Sequence, residues 1–284
     1  MLLRLVNLNR DCNDRGPSIE CPAMKTLILG FLSASTAFAQ QDEFIGGHVK
    51  QWLPQFSGRA KASGDQFEGT RTNLRTDFGL ETPRNGIQEL GLWLSLPVLP
   101  FRIYGTTYGG EFSESELLQQ TITYEDTTYN AGTTIDVDME LRTYTLMLEF
   151  GFGTPRLPLS LEFGFQAGVH YFRHKIEVSG GGVTVGEAID GPIPMLGARV
   201  SVWLIESLEA FAQLQGVSTF GRVDEVEAHY IDLTLEARWY PFSFAGIGLG
   251  YRLIELFGES KDPASNDSVL LRLDGLMVSI IIRV

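Results

Sequence analysis

Ile231-Asp232-Leu233-Thr234-Leu235-Glu236-Ala237-Arg238-Trp239-Tyr240-Pro241-Phe242-Ser243-Phe244-Ala245-Gly246-Ile247-Gly248-Leu249-Gly250-Tyr251-Arg252-Leu253 is the stretch whose reading decides the fold. Ile231, Leu233, Leu235, Ala237 and Trp239 alternate with Asp232, Thr234, Glu236 and Arg238. After the break at Pro241–Ser243, Ile247, Leu249, Tyr251 and Leu253 alternate with Gly246, Gly248, Gly250 and Arg252. A period of two is that of a β-strand, whose successive side chains point to opposite faces. Two such runs joined by so short a connection predict an antiparallel pair with one apolar and one polar face.

The same pattern extends in both directions. Ten strands are predicted: 50–63, 87–96, 101–112, 138–153, 159–176, 194–205, 208–221, 227–240, 244–257 and 270–284. No long helical period appears. Short connections fall at Pro97–Pro100, Thr154–Pro158, Glu206–Leu208 and Pro241–Ser243. Long or polar ones fall at Gly64–Gly86, Ser113–Thr133, Ser179–Glu187, Arg222–Glu225 and Gly258–Asp267. The runs are long enough for the 9–11 residues that cross a bilayer with tilt. The expected class is all-β: an antiparallel, up-and-down transmembrane β-barrel of about ten strands, with eight as the alternative. Gln119–Asp136 is a candidate extra hairpin with its bend at Asn130-Ala131-Gly132.

Alternation alone does not say which face is inside, and a lipocalin-like soluble barrel would turn the apolar face inward. Strand length, unequal loops and aromatics gathered at the tight-turn ends favour the opposite. Those aromatics are Phe101, Phe150, Phe152, Trp239, Tyr240, Phe242 and Phe244, placed as in a membrane-interface girdle. Leu249 then faces lipid and Gly248 the lumen, so arginine at 249 is expected to harm assembly more than serine at 248.

Met24-Lys25, the apolar Thr26–Leu32 and Ala37-Phe38-Ala39 form the three parts of a secretory signal peptide. The expected organisation is a mis-called leader over 1–23, a signal peptide over 24–39 and the barrel over 40–284, with Gln40 the mature first residue. Both cysteines, Cys12 and Cys21, precede that point, so a disulfide framework, a cysteine metal site and a thiol nucleophile are not expected. The full chain has 22 basic and 35 acidic residues, and 18 and 32 of them lie beyond residue 39. An acidic chain is a poor partner for nucleic acid, whose binding needs a basic surface.

On these grounds the chain, over about residues 40–284, resembles the bacterial outer-membrane β-barrel superfamily, of OmpA-like and small-porin type. Locally, Gly69-Thr70-Arg71-Thr72-Asn73-Leu74-Arg75-Thr76-Asp77-Phe78-Gly79-Leu80 is similar to a G-T-x-x-[DN]-L-x-x-D-[LF]-G-L stretch in outer-membrane proteins of no known activity. The resemblance implies residence in the outer membrane, with its lipid, lipopolysaccharide and the barrel-assembly machinery as partners. One departure is the terminus: such barrels usually end in Phe or Trp, whereas this chain ends Ile280-Ile281-Ile282-Arg283-Val284.

Arg59, Lys61, Glu89, Arg102, Glu149, Glu162, Arg199, Glu209, Asp232, Glu236, Arg238 and Arg252 are read as polar-face residues. From these, a lumen charge network of Arg102, Glu149, Glu162, Arg199, Glu209, Asp232, Glu236, Arg238 and Arg252 is expected. Arg199, Arg238 and Arg252 are expected to pair with Glu149, Glu162, Glu209 or Glu236. Both signs are balanced, which suits a salt-bridged plug better than a one-sign selectivity ring. His170 and His174 lie about 13 Å apart on one strand face at roughly 3.3 Å per residue, so neither a metal nor another cofactor is expected. No histidine sits in a His-x-Ser element. His229 with Asp232 and His174 with Glu162 lack the close spacing of an acid–base pair, so the chain is not expected to be an enzyme. The expected function is structural or passive, with weak solute passage or surface interaction through the long acidic loops. An omptin-like protease or lipid A-modifying hydrolase is the alternative.

Overall fold

The computed structural model describes residues 44–61, 70–80, 82–83, 85–95, 101–124, 127–153, 160–218, 226–260 and 268–284. The expected leader and signal peptide lie outside these residues. The strands are β1 (Ile45–Lys61), β2 (Thr72–Asn73), β3 (Ile87–Ser95), β4 (Phe101–Leu117), β5 (Ile122–Tyr124), β6 (Thr127–Tyr129), β7 (Thr134–Gly153), β8 (Ser160–Gly180), β9 (Val183–Ile205), β10 (Leu208–Ser218), β11 (Val226–Phe242), β12 (Ala245–Ser260) and β13 (Ser268–Arg283). Leaving aside the short β2, β5 and β6, ten strands pair antiparallel in sequence order. β13 closes on β1, from Gly46↔Arg283 to Lys61↔Ser268. Closure leaves no free edge in the lower part of the wall, where every strand is paired on both sides, as a sheet in lipid requires. The fold is a closed ten-stranded antiparallel barrel, and the eight-stranded alternative is set aside.

The strands run further than the periodicity suggested. β9 starts at Val183 rather than 194, and β8 reaches Gly180, so Ser179–Glu187 is not a long loop. The reversal is made by Gly181 and Gly182 alone, at φ +59° and +84°, a left-handed conformation that glycine adopts without penalty. The expected hairpin after β4 also forms, as β5 paired with β6. Its two strands pair from Ile122↔Tyr129 to Tyr124↔Thr127, so Asn130–Gly132 is not its bend and instead leads into β7, with Gly132 at φ +83°.

β7 shows why the ends were misread. Its outward residues are Asp136, Asp138, Glu140 and Arg142, then Tyr144, Leu146, Leu148, Phe150 and Phe152. Its inward ones are Ile135, Val137 and Met139, then Thr143, Thr145, Met147 and Glu149. The polarity of the two faces inverts near Arg142. Below it the strand is apolar outside and polar inside, as lipid demands; above it the strand is polar outside and apolar inside, as water demands. From Tyr144 to Phe152 the apolar run has nine residues, within the 9–11 that a tilted strand needs to cross a bilayer.

The inversion follows the strand register around the wall. Arg142 pairs with Arg173 of β8 and Gly109 of β4; Arg173 pairs with Asp190, Gly109 with Gln88, and Gln88 with Gln51. On the far side Leu276 gives way to Asp274 and Leu253 to Glu255. Tyr144 and Tyr171 pair directly beneath this line. At the opposite end the rings of Phe101 and Phe150, Phe152 and Phe163, and Phe242 and Phe244 lie 5.4, 5.6 and 5.7 Å apart.

Leu249 is 61% exposed on the outer face. Arginine there should cost about 2–4 kcal/mol and lower the folded fraction seen by heat-modifiable gel mobility. Gly248 faces the lumen as expected, but a Cβ on it would collide with the side chains of Glu236 and Ser279. It is therefore no neutral reference. Thr234→Ser, also lumenal, should fold like the parent; equal damage from Thr234→Ser and Leu249→Arg would mean that the faces are reversed.

Candidate functional site

The lower lumen is filled by charge. Arg199 donates through Nε and Nη2 to Glu149, the shorter contact being 2.8 Å, and its Nη1 lies 3.7 Å from Glu162. Arg102 approaches the same Glu149 at 3.9 Å and donates to Ser95 Oγ at 3.2 Å. Arg238 bridges Glu236 at 2.8 Å and Glu209 at 3.5 Å, with its guanidinium 3.5 Å above the Phe211 ring. Arg252 grips Asp232 at 2.6 Å, contacts Glu89 and lies 4.5 Å from the Tyr108 ring. Lys50 ties the last two groups together, 3.4 Å from Glu89 and 3.9 Å from Glu236. Gln166 carries the lattice along the wall from β7 to β10: it donates to Glu149 at 2.7 Å and accepts from Gln213 and Gln215 at 3.1 and 2.8 Å.

All nine residues of the expected network stand on the inner wall, and each has an oppositely charged neighbour. The physical reason is desolvation. A charge away from water is tolerated only when it is paired and hydrogen-bonded. Arg199 and Arg238 meet carboxylates from the expected set, whereas Arg252 meets Asp232 and Glu89. Arg59 and Lys61 do not belong here. Inward residues of β1 are even-numbered, from Gly46 to Phe56, so positions 59 and 61 stand on its outer face. His48 and Lys50, which sequence reasoning missed, are inward and buried. Their signal was the parity shared with Trp52 and Phe56; it was hidden because Arg59 and Lys61, of the opposite parity, were read as the polar face, and because His48 precedes the expected start of the strand at residue 50. His48 lies 2.8 Å from Glu89.

Above the charges the barrel is closed by an apolar core, which the sequence reading did not anticipate. The segment 70–80, noted for its local resemblance, is its keystone. Leu74, Phe78 and Leu80 are fully buried with Trp52, Phe56 and Phe112. Asn73 caps the turn: its Oδ1 accepts from the amides of Arg75 and Thr76 at 3.0 and 3.2 Å, while Asp77 accepts from the Asn73 amide at 2.8 Å. Gly79, at φ +69°, turns the chain back so that Leu80 N–H reaches Leu74 O at 3.1 Å. Leu74 N–H donates to Gly58 O at 3.1 Å, and Thr72 Oγ1 to Ala60 O at 3.1 Å, docking the segment on β1. The spacing of that stretch thus encodes a capped turn with three core anchors. Leu118, Ile122, Tyr124 and Tyr129 join the same core.

The histidine pairs weighed for acid–base chemistry come apart. His229 is on the outer side of β11, 3.4 Å from Glu255 and stacked on Phe257, whereas Asp232 faces inward. His174 and Glu162 share a face but lie about 40 Å apart along β8 at roughly 3.3 Å per residue.

No family model matches the chain, and no curated protein does. A solved structure does share its fold. The outer membrane protease OmpT from Escherichia coli is similar at TM-score 0.52 and 9% identity, over 86% of this chain and 97% of that one. The translocator domain of autotransporter NalP from Neisseria meningitidis aligns at TM-score 0.38 and 11% identity, over 93% and 97% of the two chains. Ail, the attachment invasion locus protein of Yersinia pestis, aligns at 0.32 and 9%, over 84% and 99%. At such identities the likeness is one of fold alone. It nonetheless corrects one expectation: a barrel architecture shared with a protease gives no ground for excluding catalysis, and the statement that the chain is not an enzyme is withdrawn. The architecture, a closed antiparallel β-barrel, is the fold of that outer membrane protease.

Proposed function

We propose that this protein is an outer-membrane barrel with a closed lumen, whose work is done at its extracellular end. The observation that carries the reading is the continuous lattice from Arg102 through Glu149, Gln166 and Gln213, with Lys50 and Arg252 beside it, roofed by the Phe78 core. A solute crossing the barrel would have to part paired, desolvated charges and then an apolar layer. Lipid and lipopolysaccharide surround the belt, and the polar outer wall above it is the surface available for interaction. Planar-bilayer recording tests this. Purified protein should give little or no steady conductance, and a large, stable conductance would replace the closed barrel with an open porin.

Export is part of the proposal. Signal peptidase cuts after Ala39 and the assembly machinery inserts the chain. N-terminal sequencing of membrane-extracted protein should begin at Gln40; recovery of Met1 or Cys12 in the mature chain would refute the start-site reading.

A further inference from the structure

The outer wall carries a groove of about 320 Å³ where the polarity inversion crosses β3, β4 and β7. Val49, Leu90, Thr107 and Tyr144 line its lower layer, and Gly109 and Arg142 line its upper one. The register sets these layers: Thr107 of β4 pairs with Leu90 and Tyr144, and Gly109 with Arg142. Threonine and glycine on the middle strand are shorter than their neighbours on either side, so the trough forms over β4. Its lower layer lies in the lipid-facing belt and its upper layer at the belt's edge.

The charges at the upper end come in like pairs. Arg142 stands opposite Arg173 of β8. One step further from the membrane, Glu111 of β4 stands opposite Glu140 of β7. Such directly opposed side chains have Cβ atoms about 4.5–5.5 Å apart, and like charges there are destabilising. Internal partners offset part of this. Arg142 contacts Glu140. Asp190, the register partner of Arg173 on β9, accepts the Tyr171 hydroxyl. Lys175, opposite Glu140 on the β8 side, has its Nζ 2.8 Å from Glu177. Glu111 is exposed and has no ion pair among the described residues.

We propose that this groove binds one phospholipid of the outward-facing leaflet whose zwitterionic headgroup ends in a primary ammonium. An acyl chain lies over Thr107 between Leu90 and Tyr144, the phosphate sits at Arg142 and Arg173, and the ammonium sits between Glu111 and Glu140. In such a lipid the phosphate is nearer the hydrocarbon and the ammonium lies beyond it. The wall presents the opposite signs in the same order, which is the charge complementarity that selects this occupant. A primary ammonium has three N–H donors to share between two carboxylates. A choline headgroup has none, and a glycerol headgroup has no positive charge to place there. The inference rests on the outer-membrane reading, since the groove must lie in lipid, and is independent of the closed lumen.

The test is native mass spectrometry of the full-length protein in detergent, equilibrated with palmitoyl-oleoyl phosphatidylethanolamine, phosphatidylcholine or phosphatidylglycerol. One phosphatidylethanolamine should be retained, about tenfold more tightly than either of the others, as loss of a hydrogen-bonded charge contact implies. Glu111→Gln, which leaves the contact of Arg142 with Glu140 in place, should bring the three lipids together. Arg142→Gln should weaken all three. Thr107→Phe, an apolar side chain on a lipid-facing position, should fill the trough and abolish retention with heat-modifiable mobility kept. The comparison of the three lipids on the parent protein stands however the variants fold. Equal retention of the three, a preference unchanged in Glu111→Gln, or a divalent cation bound in place of the lipid would overturn the site while the membrane reading stands. Failure of the parent to fold in vesicles of any of these lipids would overturn the membrane reading, and the site with it.

Discussion

Arg252→Ala should lower the barrel's thermal midpoint sharply, at a cost of about 3–5 kcal/mol, the range for removing one partner of a buried ion pair. Arg252 is the residue on which two carboxylates converge, Asp232 at 2.6 Å and Glu89 from β3, beyond β13 and β1 in the wall. Glu89 keeps Lys50 at 3.4 Å and His48 at 2.8 Å, so the stranded charge is chiefly that of Asp232. This singles out the compensating change. Arg252→Ala combined with Asp232→Asn should recover most of the lost stability, because the unpaired charge is gone, while the vacated volume should let small ions through. Thermal melts by circular dichroism and single-channel recording read the two effects separately. A single mutant as stable as the parent, or a double mutant no better than the single, would show that the pair does not carry the energy assigned to it.

Phe78→Ala should be comparably severe but confined to the extracellular end. The ring is fully buried, and its centroid is 6.4 Å from that of Tyr124. Deleting a buried phenylalanine typically costs about 3–5 kcal/mol, the loss of transfer energy being augmented by the cavity left behind. The core it joins sits above the polarity inversion, whereas the belt strands are held by their own ladder. Hydrogen exchange and protease nicking over residues 70–80 should therefore increase strongly, with heat-modifiable mobility kept. Asn73→Ala should act in the same direction and less, about 0.5–2 kcal/mol for a lost cap. Loss of the whole barrel in Phe78→Ala would mean that the two halves fold as one unit.

The architecture was legible because lipid imposes a simple rule on a strand. With one face in hydrocarbon and the other in a polar lumen, Ile247, Leu249 and Tyr251 must alternate with Gly248, Gly250 and Arg252, and no packing detail is needed to see it. The same desolvation argument marks Arg199 and Glu149 as residues that need partners, since charge on an inner wall cannot stand alone. Alternation does not say who pairs with whom. Arg252 and Glu89 are 163 positions apart, and only closure of β13 on β1, with the register of ten strands, brings them together. Nor did alternation reveal the barrel's upper half. There Ile135, Val137 and Met139 keep the period of β7 but exchange faces, because water replaces lipid outside. A rule that reads apolar as outward fails at that line. The site of Phe78 was hidden for a related reason: a capped turn of eleven residues has no period to read, and its burial arises from docking on β1 and β4 across distances the chain does not record. The sequence by itself therefore determined an antiparallel barrel of about ten strands with one apolar and one polar face. The tertiary structure alone decided which charges meet, where the membrane ends and what roofs the lumen, because each of these depends on contacts between segments far apart along the chain.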